Sequence, residues 1–228
     1  MDLKKQAAEH TVGFIESGMV VGLGGGSAVA FMADLIRNRV NDGLQVQLVS
    51  SSFTTKRLLE QNGLPLRDIA SASKLDLYFD GCDQFDKNLN ALKSGGGIHT
   101  HEKILAVAAD EFILVGDQSK YVQQLDNKFP LVIEVIPQAL SLAPVKISQI
   151  YPGARTELRI SNKKDGPVCT ENGNYLFDLW FNEWPPLSTL NPALLGIPGV
   201  LETSLFYQLA SRAVIGGDEG LKVLSRNG

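Results

Sequence analysis

The sequence predicts an α/β fold: a mostly parallel open sheet flanked by helices, with a smaller α+β subdomain inserted near the C-terminus. Three observations carry this. Strand-like and helix-like patterns alternate through the first half of the chain, as βαβ units require. The stretch Val20–Ala30 reads as a short apolar strand, a glycine-rich turn and a helix in succession. Beyond Pro137 the texture changes to short strands punctuated by proline and glycine. Residues 1–130 and 205–228 are therefore expected to form an α/β catalytic domain, and residues 131–204 a small α+β subdomain.

Each element follows from local pattern. A helix is expected over Leu3–Ser17, then a strand at Val20–Leu23 and a helix around Val29–Arg39. Gln45–Val49 reads as a strand, and Thr54–Gln61 as a helix closed by Asn62-Gly63 and Pro65. Next come the strand Leu75–Phe79, the helix His101–Ala109 and the strands Phe112–Val115 and Leu131–Ile136. A helix over Gln138–Tyr151 is expected to break at Pro144. Short strands are expected near Arg155–Arg159, Val168–Thr170 and Tyr175–Trp180, with a helix at Leu187–Leu194 after Pro185-Pro186. Pro198-Gly199-Val200-Leu201 opens a strand region reaching Phe206. Ala213–Leu224 reads as a hairpin turning at Gly216–Gly220 that returns to the main sheet as edge strands.

Composition narrows the function classes. The 228 residues carry a net charge of −4, which argues against a nucleic-acid partner. Two cysteines, Cys82 and Cys169, are too few for a disulfide framework. No apolar run reaches the length of a membrane span and no signal-peptide core opens the chain, so a cytoplasmic protein without a membrane partner is expected.

Chemistry concentrates in three stretches. In Lys93-Ser94-Gly95-Gly96-Gly97-Ile98-His99-Thr100-His101-Glu102-Lys103 a lysine leads into three glycines, and a carboxylate follows at the start of an apolar helix. Backbone N–H groups of such a loop can approach an anion that any Cβ would push away, and a helix start adds its dipole. A plain turn before a surface helix is the competing reading. In the second stretch, Gly22-x-Gly24-x-Gly26 matches neither a dinucleotide fingerprint nor a Walker loop. In the third, Asp80-Gly81-Cys82-Asp83-Gln84 sets two carboxylates at the end of a strand, where open α/β sheets place ligands. Two glycine loops, three carboxylates and a lysine in one crevice suit sugar-phosphate chemistry: amides hold phosphate, carboxylates move protons and a lysine stabilises charge on oxygen.

With these residues in view, the sequence resembles ribose-5-phosphate isomerase of the A type. The likeness runs nearly end to end through ordered motifs: Gly24-Gly25-Gly26-Ser27, Ser50-Ser51-Ser52, Asp80-Gly81-Cys82-Asp83, Lys93-Ser94-Gly95-Gly96-Gly97 and Glu102-Lys103. Ser119-Lys120, Lys128-Phe129-Pro130, Glu134-Val135-Ile136-Pro137, Asn172-Gly173-Asn174 and Ile197-Pro198-Gly199-Val200 continue it. The resemblance implies interconversion of D-ribose 5-phosphate and D-ribulose 5-phosphate through a cis-enediol in the pentose phosphate pathway. It implies no cofactor, whether metal or nucleotide, and a homodimer or tetramer. It assigns Glu102 as the proton-transferring base and Asp80 and Asp83 to ring opening and the sugar hydroxyls. Lys93 would stabilise the enediolate. Gly24, Gly25, Gly26, Ser27 and Ala28, with Ser94, Gly95, Gly96 and Gly97, would line the substrate site. Lys120 would contact substrate or its phosphate.

The chain departs from the family pattern at several points. The usual glycine-threonine-glycine-serine-threonine loop here reads Gly24 to Ala28 with Gly25 and Ala28 in the threonine places, Gln84 replaces a glutamate, and Ser94 and His101 replace a glycine and an arginine. An altered sugar-phosphate preference, or a non-catalytic sugar-phosphate sensor, is the alternative these changes raise. A sensor fits less well, since no helix-turn-helix is read. An amino-sugar-phosphate deaminase or CoA transferase on a similar fold is disfavoured by the retained Asp-Gly-x-Asp and lysine-glycine motifs. His99 and His101 do not share a helix face, which counts against a metal pair. Cys82 reads as a small filler, and Trp180, Phe181 and Trp184 as packing of the small unit or a subunit contact.

Overall fold

The computed structural model describes residues 2–226, so residues 1, 227 and 228 of the expected catalytic domain lie outside it. Its first helix, α1 (Leu3–Val12), is capped by Asp2, whose carboxylate accepts from the amides of Lys4 and Lys5. It stops well before Ser17, because the chain turns at Gly13, whose N–H bonds back to the His10 and Thr11 carbonyls. There follow β1 (Val20–Leu23), α2 (Ser27–Asn41), β2 (Gln47–Ser50), α3 (Phe53–Gln61) and β3 (Leu75–Asp80). Next come β4 (Gln84–Phe85), β5 (Ala91–Leu92), α4 (His99–Ala108), β6 (Ala109–Asp117), β7 (Leu131–Val135) and α5 (Leu142–Ile150). The chain continues through β8 (Arg155–Leu158), β9 (Tyr175–Trp180), α6 (Leu187–Leu195), β10 (Val200–Thr203), β11 (Leu205–Phe206), β12 (Arg212–Gly217) and β13 (Gly220–Ser225).

The main sheet has the order β13-β12-β6-β3-β1-β2, parallel throughout except for β13. A hairpin end was expected to supply two edge strands; instead β12 pairs inside the sheet, parallel to β6, and β13 alone forms the edge. Strand order reverses between β1 and β3, since β2 lies on one side of β1 and β3 on the other. Such a switch point opens a crevice at the strands' C-terminal ends. Alternation along β6 sends Ile113 and Val115 into a core under α1 and α2, and Phe112 and Leu114 into one under α4. Fully burying a side chain such as Phe79 or Ile113 contributes roughly 1.5–3 kcal/mol.

A four-stranded antiparallel sheet, β10-β7-β9-β8, packs with α5 and α6 over its own apolar core. Phe181 and Trp184 stack in that core, with ring centroids 5.5 Å apart. Val168–Thr170 is not a strand: Cys169 makes one isolated bridge to Tyr175. Pro144 does not interrupt α5 but lies in its first turn, where its missing N–H costs no helical bond, and the chain breaks earlier, at Leu140-Ser141. A third, small sheet of β11, β5 and β4, not foreseen from the sequence, sits between the two larger ones. Its two-residue strands are too short to show a period.

Candidate active site

The strand ends around β1 and β3 do converge on a cleft, of about 530 Å³. Gly24 to Ala28 connect β1 to α2, and Gly24 makes a close approach possible. A Cβ there would lie 1.9 Å from the Asp80 Cγ, so only glycine lets this carboxylate sit beneath the loop. Gly26, at φ 95°, takes a conformation that side chains resist and turns the chain into α2 without a side-chain cap. The first amides of α2 are therefore left for a ligand in the cleft. Across from them Ser52 caps α3, accepting from Thr55 N, and Thr55 Oγ1 donates to the Gly24 carbonyl at 2.7 Å.

Asp80 is fully buried. One oxygen, Oδ1, accepts from the amides of Gly25 (3.0 Å) and Gly81 (2.7 Å). The other, Oδ2, accepts from the Tyr78 hydroxyl (2.5 Å) and forms an ion pair with the Lys93 ammonium at 2.9 Å. Lys93 also donates to the Gly81 carbonyl at 2.5 Å and lies 3.2 Å from Glu102 Oε1. Its ammonium is thus ringed by three oxygens, and its ring neighbour is Phe206, 5.7 Å away. Burial alone would lower the Lys93 pKa, but Asp80 and Glu102 overcome it and raise it.

Glu102 sits in the first turn of α4, which begins at His99, two positions before the expected His101. The residue is 6% exposed and its carboxyl is pushed up to about 8. Burial is the main cause; Lys93 opposes it and the neighbouring Asp80 charge reinforces it. Both flanks of Glu102 are anchored to the four-stranded sheet. Thr100 Oγ1 donates to Glu134, and Lys103 Nζ donates to Glu202 Oε1 (2.7 Å) and the Thr203 carbonyl (2.6 Å).

The expected site residues divide by position. Gly25, Gly26, Ser27, Ala28, Asp83, Lys93, Gly96, Glu102 and Lys120 line the cleft. Asp80, Gly24, Ser94, Gly95 and Gly97 do not. Ser94 and Gly95 are turned the other way: their amides donate to Asp83 Oδ2 at 2.6 and 2.9 Å, holding that carboxylate at the wall. Ser94 Oγ donates to the Pro130 carbonyl, and Gly97 faces Leu176. Asp80 stands behind Lys93 rather than in the open cleft.

Sequence reasoning missed other lining groups, among them Lys4, Ser52, Phe53, Thr54 and Glu171. The serine run ahead of α3 was a readable cap signal. Nothing local marks Lys4, which reaches the cleft because α1 lies along β6 and β12, with its ammonium 3.8 Å from Asp117. Among the described residues no three His, Cys, Asp or Glu side chains gather as a metal site. His99 is buried, which lowers its pKa to about 4, and His101 meets Asn172 Oδ1 at 3.0 Å. The Cys82 thiol is pushed up to about 12 by burial, so it is no resting nucleophile.

A parallel sheet with carboxylates, a lysine and uncapped helix starts at one switch point defines a sugar-phosphate-handling α/β protein. The family model for ribose 5-phosphate isomerase A (phosphoriboisomerase A) matches residues 47–220. The chain is 40% identical over 225 residues to ribose-5-phosphate isomerase A of Methanothermobacter thermautotrophicus, covering 98% of both proteins. The solved ribose 5-phosphate isomerase A of Methanocaldococcus jannaschii superposes with a TM-score of 0.90 at 35% identity, covering 97% of each chain. A D-ribose-5-phosphate isomerase solved in complex with phospho-erythronic acid gives 0.91 at 37% identity, covering 99% of this chain and 100% of that one. This chain belongs to the ribose 5-phosphate isomerase A family.

Proposed function

We propose that this protein interconverts D-ribose 5-phosphate and D-ribulose 5-phosphate through a cis-enediol(ate), the step the pentose phosphate pathway needs. The observation that carries the reading is Glu102, buried on the cleft wall with its pKa near neutrality and 3.2 Å from a lysine that Asp80 holds in place. A base that must take a proton from a carbon acid works best when its pKa is close to the working pH. Glu102 removes the C2 proton of the open-chain aldose and returns it to C1. Lys93 stabilises the developing enediolate oxygen, exchanging its bond to the neutral Gly81 carbonyl for one to substrate. Asp83, held by two amides, accepts from the sugar hydroxyls and assists ring opening; Asp80 serves by fixing Lys93.

The phosphate belongs at the other end of the cleft. The uncapped start of α2, the Ser27 and Thr54 residues and the basic Lys4 and Lys120 all line the cleft and supply its anion-binding groups. The relative solved with phospho-erythronic acid supports a sugar-phosphate ligand, because that compound joins an acid group to a phosphate on a short polyol chain. The reading includes a catalytic domain of residues 1–130 and 205–228, a small subdomain of 131–204, a cytoplasmic location and a homodimer or tetramer.

The test follows ribulose 5-phosphate formed from ribose 5-phosphate by purified protein with EDTA present. Turnover that Glu102→Gln nearly abolishes, while ribose 5-phosphate still binds, is the expected result. Absence of turnover by the unaltered protein at high concentration favours the non-catalytic reading.

A further inference from the structure

We infer that Tyr78 is a positioning residue for the isomerase: its hydroxyl, backed by Ser51, anchors the Asp80 carboxylate that holds Lys93 beside Glu102. The inference rests on the isomerase reading and concerns a residue outside the cleft.

Tyr78 lies on β3 two positions before Asp80, and its ring is fully buried against Phe112, with centroids 5.1 Å apart. Two residues apart on a strand share a face, so the Tyr78 ring and the Asp80 carboxyl stand side by side. The phenol donates to Asp80 Oδ2 at 2.5 Å, and Ser51 Oγ lies 3.3 Å from the phenol oxygen. Because the tyrosine has one hydrogen and it goes to Asp80, the serine must donate: Ser51 to Tyr78 to Asp80. Burial, with the Asp80 and Glu102 charges, holds the phenol well above its ordinary pKa, so it stays a donor.

With Tyr78 in place the Asp80 carboxylate accepts three hydrogen bonds, from the amides of Gly25 and Gly81 and from the phenol, and its Oδ2 pairs with the Lys93 ammonium at 2.9 Å. The groups facing the two carboxyls are the Lys93 ammonium, the Tyr78 phenol and the neutral Cys82 thiol; the Phe206 ring faces Lys93. Removing the phenol hydrogen leaves the Asp80 charge less compensated and draws Lys93 toward Asp80 and away from Glu102. Glu102 then keeps its proton to higher pH, because the ammonium opposes its upward shift and the Asp80 charge reinforces it. The reactive form carries Glu102 ionised, and Tyr78 lowers the pH at which that form appears.

The experiment is the pH profile of kcat/KM for the unaltered protein, Tyr78→Phe and Ser51→Ala. The unaltered protein should show an acid limb with a midpoint near pH 8. Tyr78→Phe should move that limb upward by about one unit, cutting activity at pH 7 about tenfold, as expected for losing a hydrogen bond to a charged group. The gap should close as pH rises past the new midpoint. Ser51→Ala should move the limb the same way by less. A drop that is equal at every pH marks a merely structural role and overturns the inference, as does an unmoved or lowered limb. If Tyr78→Phe does not fold, Ser51→Ala decides alone. Failure of the unaltered protein to isomerise ribose 5-phosphate would instead overturn the isomerase reading itself.

Discussion

Two buried glutamates on neighbouring elements, Glu102 and Glu134, have opposite electrostatics. Glu134 is 1% exposed, yet its pKa is lowered. Burial pushes it up, but hydrogen bonds from Thr100, Asn172, Asn174 and Thr170 outweigh that push. Glu102 is also buried and is raised to about 8. Its partner is an ammonium already shared with Asp80 and the Gly81 carbonyl, and a second carboxylate stands beside it. Burial raises both, Glu102 more deeply, and the supply of donors widens the difference. The well-served carboxylate is a joint between α4 and the Thr170–Asn174 turn; the under-served one is the proposed base.

The largest expected effect that sharpens this contrast is on rate. Glu102→Gln should lower kcat by about 10²–10⁴-fold, the usual contribution of a positioned base. Glu134→Gln should leave kcat within about tenfold and instead destabilise the fold by about 1–3 kcal/mol, because an amide N–H₂ would face donors it cannot accept from. Steady-state kinetics and chemical denaturation on the same pair of variants check both. Next comes Lys93→Met, which should cost a few kcal/mol of transition-state stabilisation, roughly 10²-fold or more in kcat. Its acid limb should also rise, since Asp80 and Glu102 then lose the cation between them.

A third expectation concerns stability against pH. A Glu102 raised from 4.5 to about 8 means that the native state holds an extra proton across that window. Its contribution to stability therefore falls as pH rises through the window. The lowered Glu134 acts the other way: its contribution is present above its unfolded pKa and lost as pH falls. Glu102→Gln should flatten the decline between pH 5 and 8 in denaturant titrations, and Glu134→Gln should not. The smallest expected effect is at the far end of the cleft. Lys120→Ala should raise KM about tenfold with kcat nearly kept, since it removes binding that ground and transition states share.

Much of this was legible in the sequence where a residue's neighbours along the chain decide its place. Gly24 to Ala28 after an apolar strand, and Asp80 ending another, marked the crevice because strand ends in a parallel sheet face one way. Glu102 was legible from its place after the glycine triplet. What escaped depends on packing across the sheet. That Gly24 serves Asp80 rather than the ligand follows from packing between β1 and β3, where a Cβ on Gly24 would lie 1.9 Å from Asp80 Cγ, and no local pattern records it. The amides of Ser94 and Gly95 turn toward Asp83 for a similar reason, through the small sheet of β4 and β5. The Glu134 joint was visible only as a family motif, because its four donors come from α4 and a distant turn.

The most direct measurement is the ionisation of Glu102 itself, read by isotope-edited infrared spectroscopy of its carboxyl group. A protonated carboxyl band at pH 6.5 that disappears through about pH 8 and is missing from Glu102→Gln, with Glu134 ionised throughout, is the predicted result. A Glu102 that is already ionised at pH 6.5, titrating near its ordinary 4.5, would contradict it.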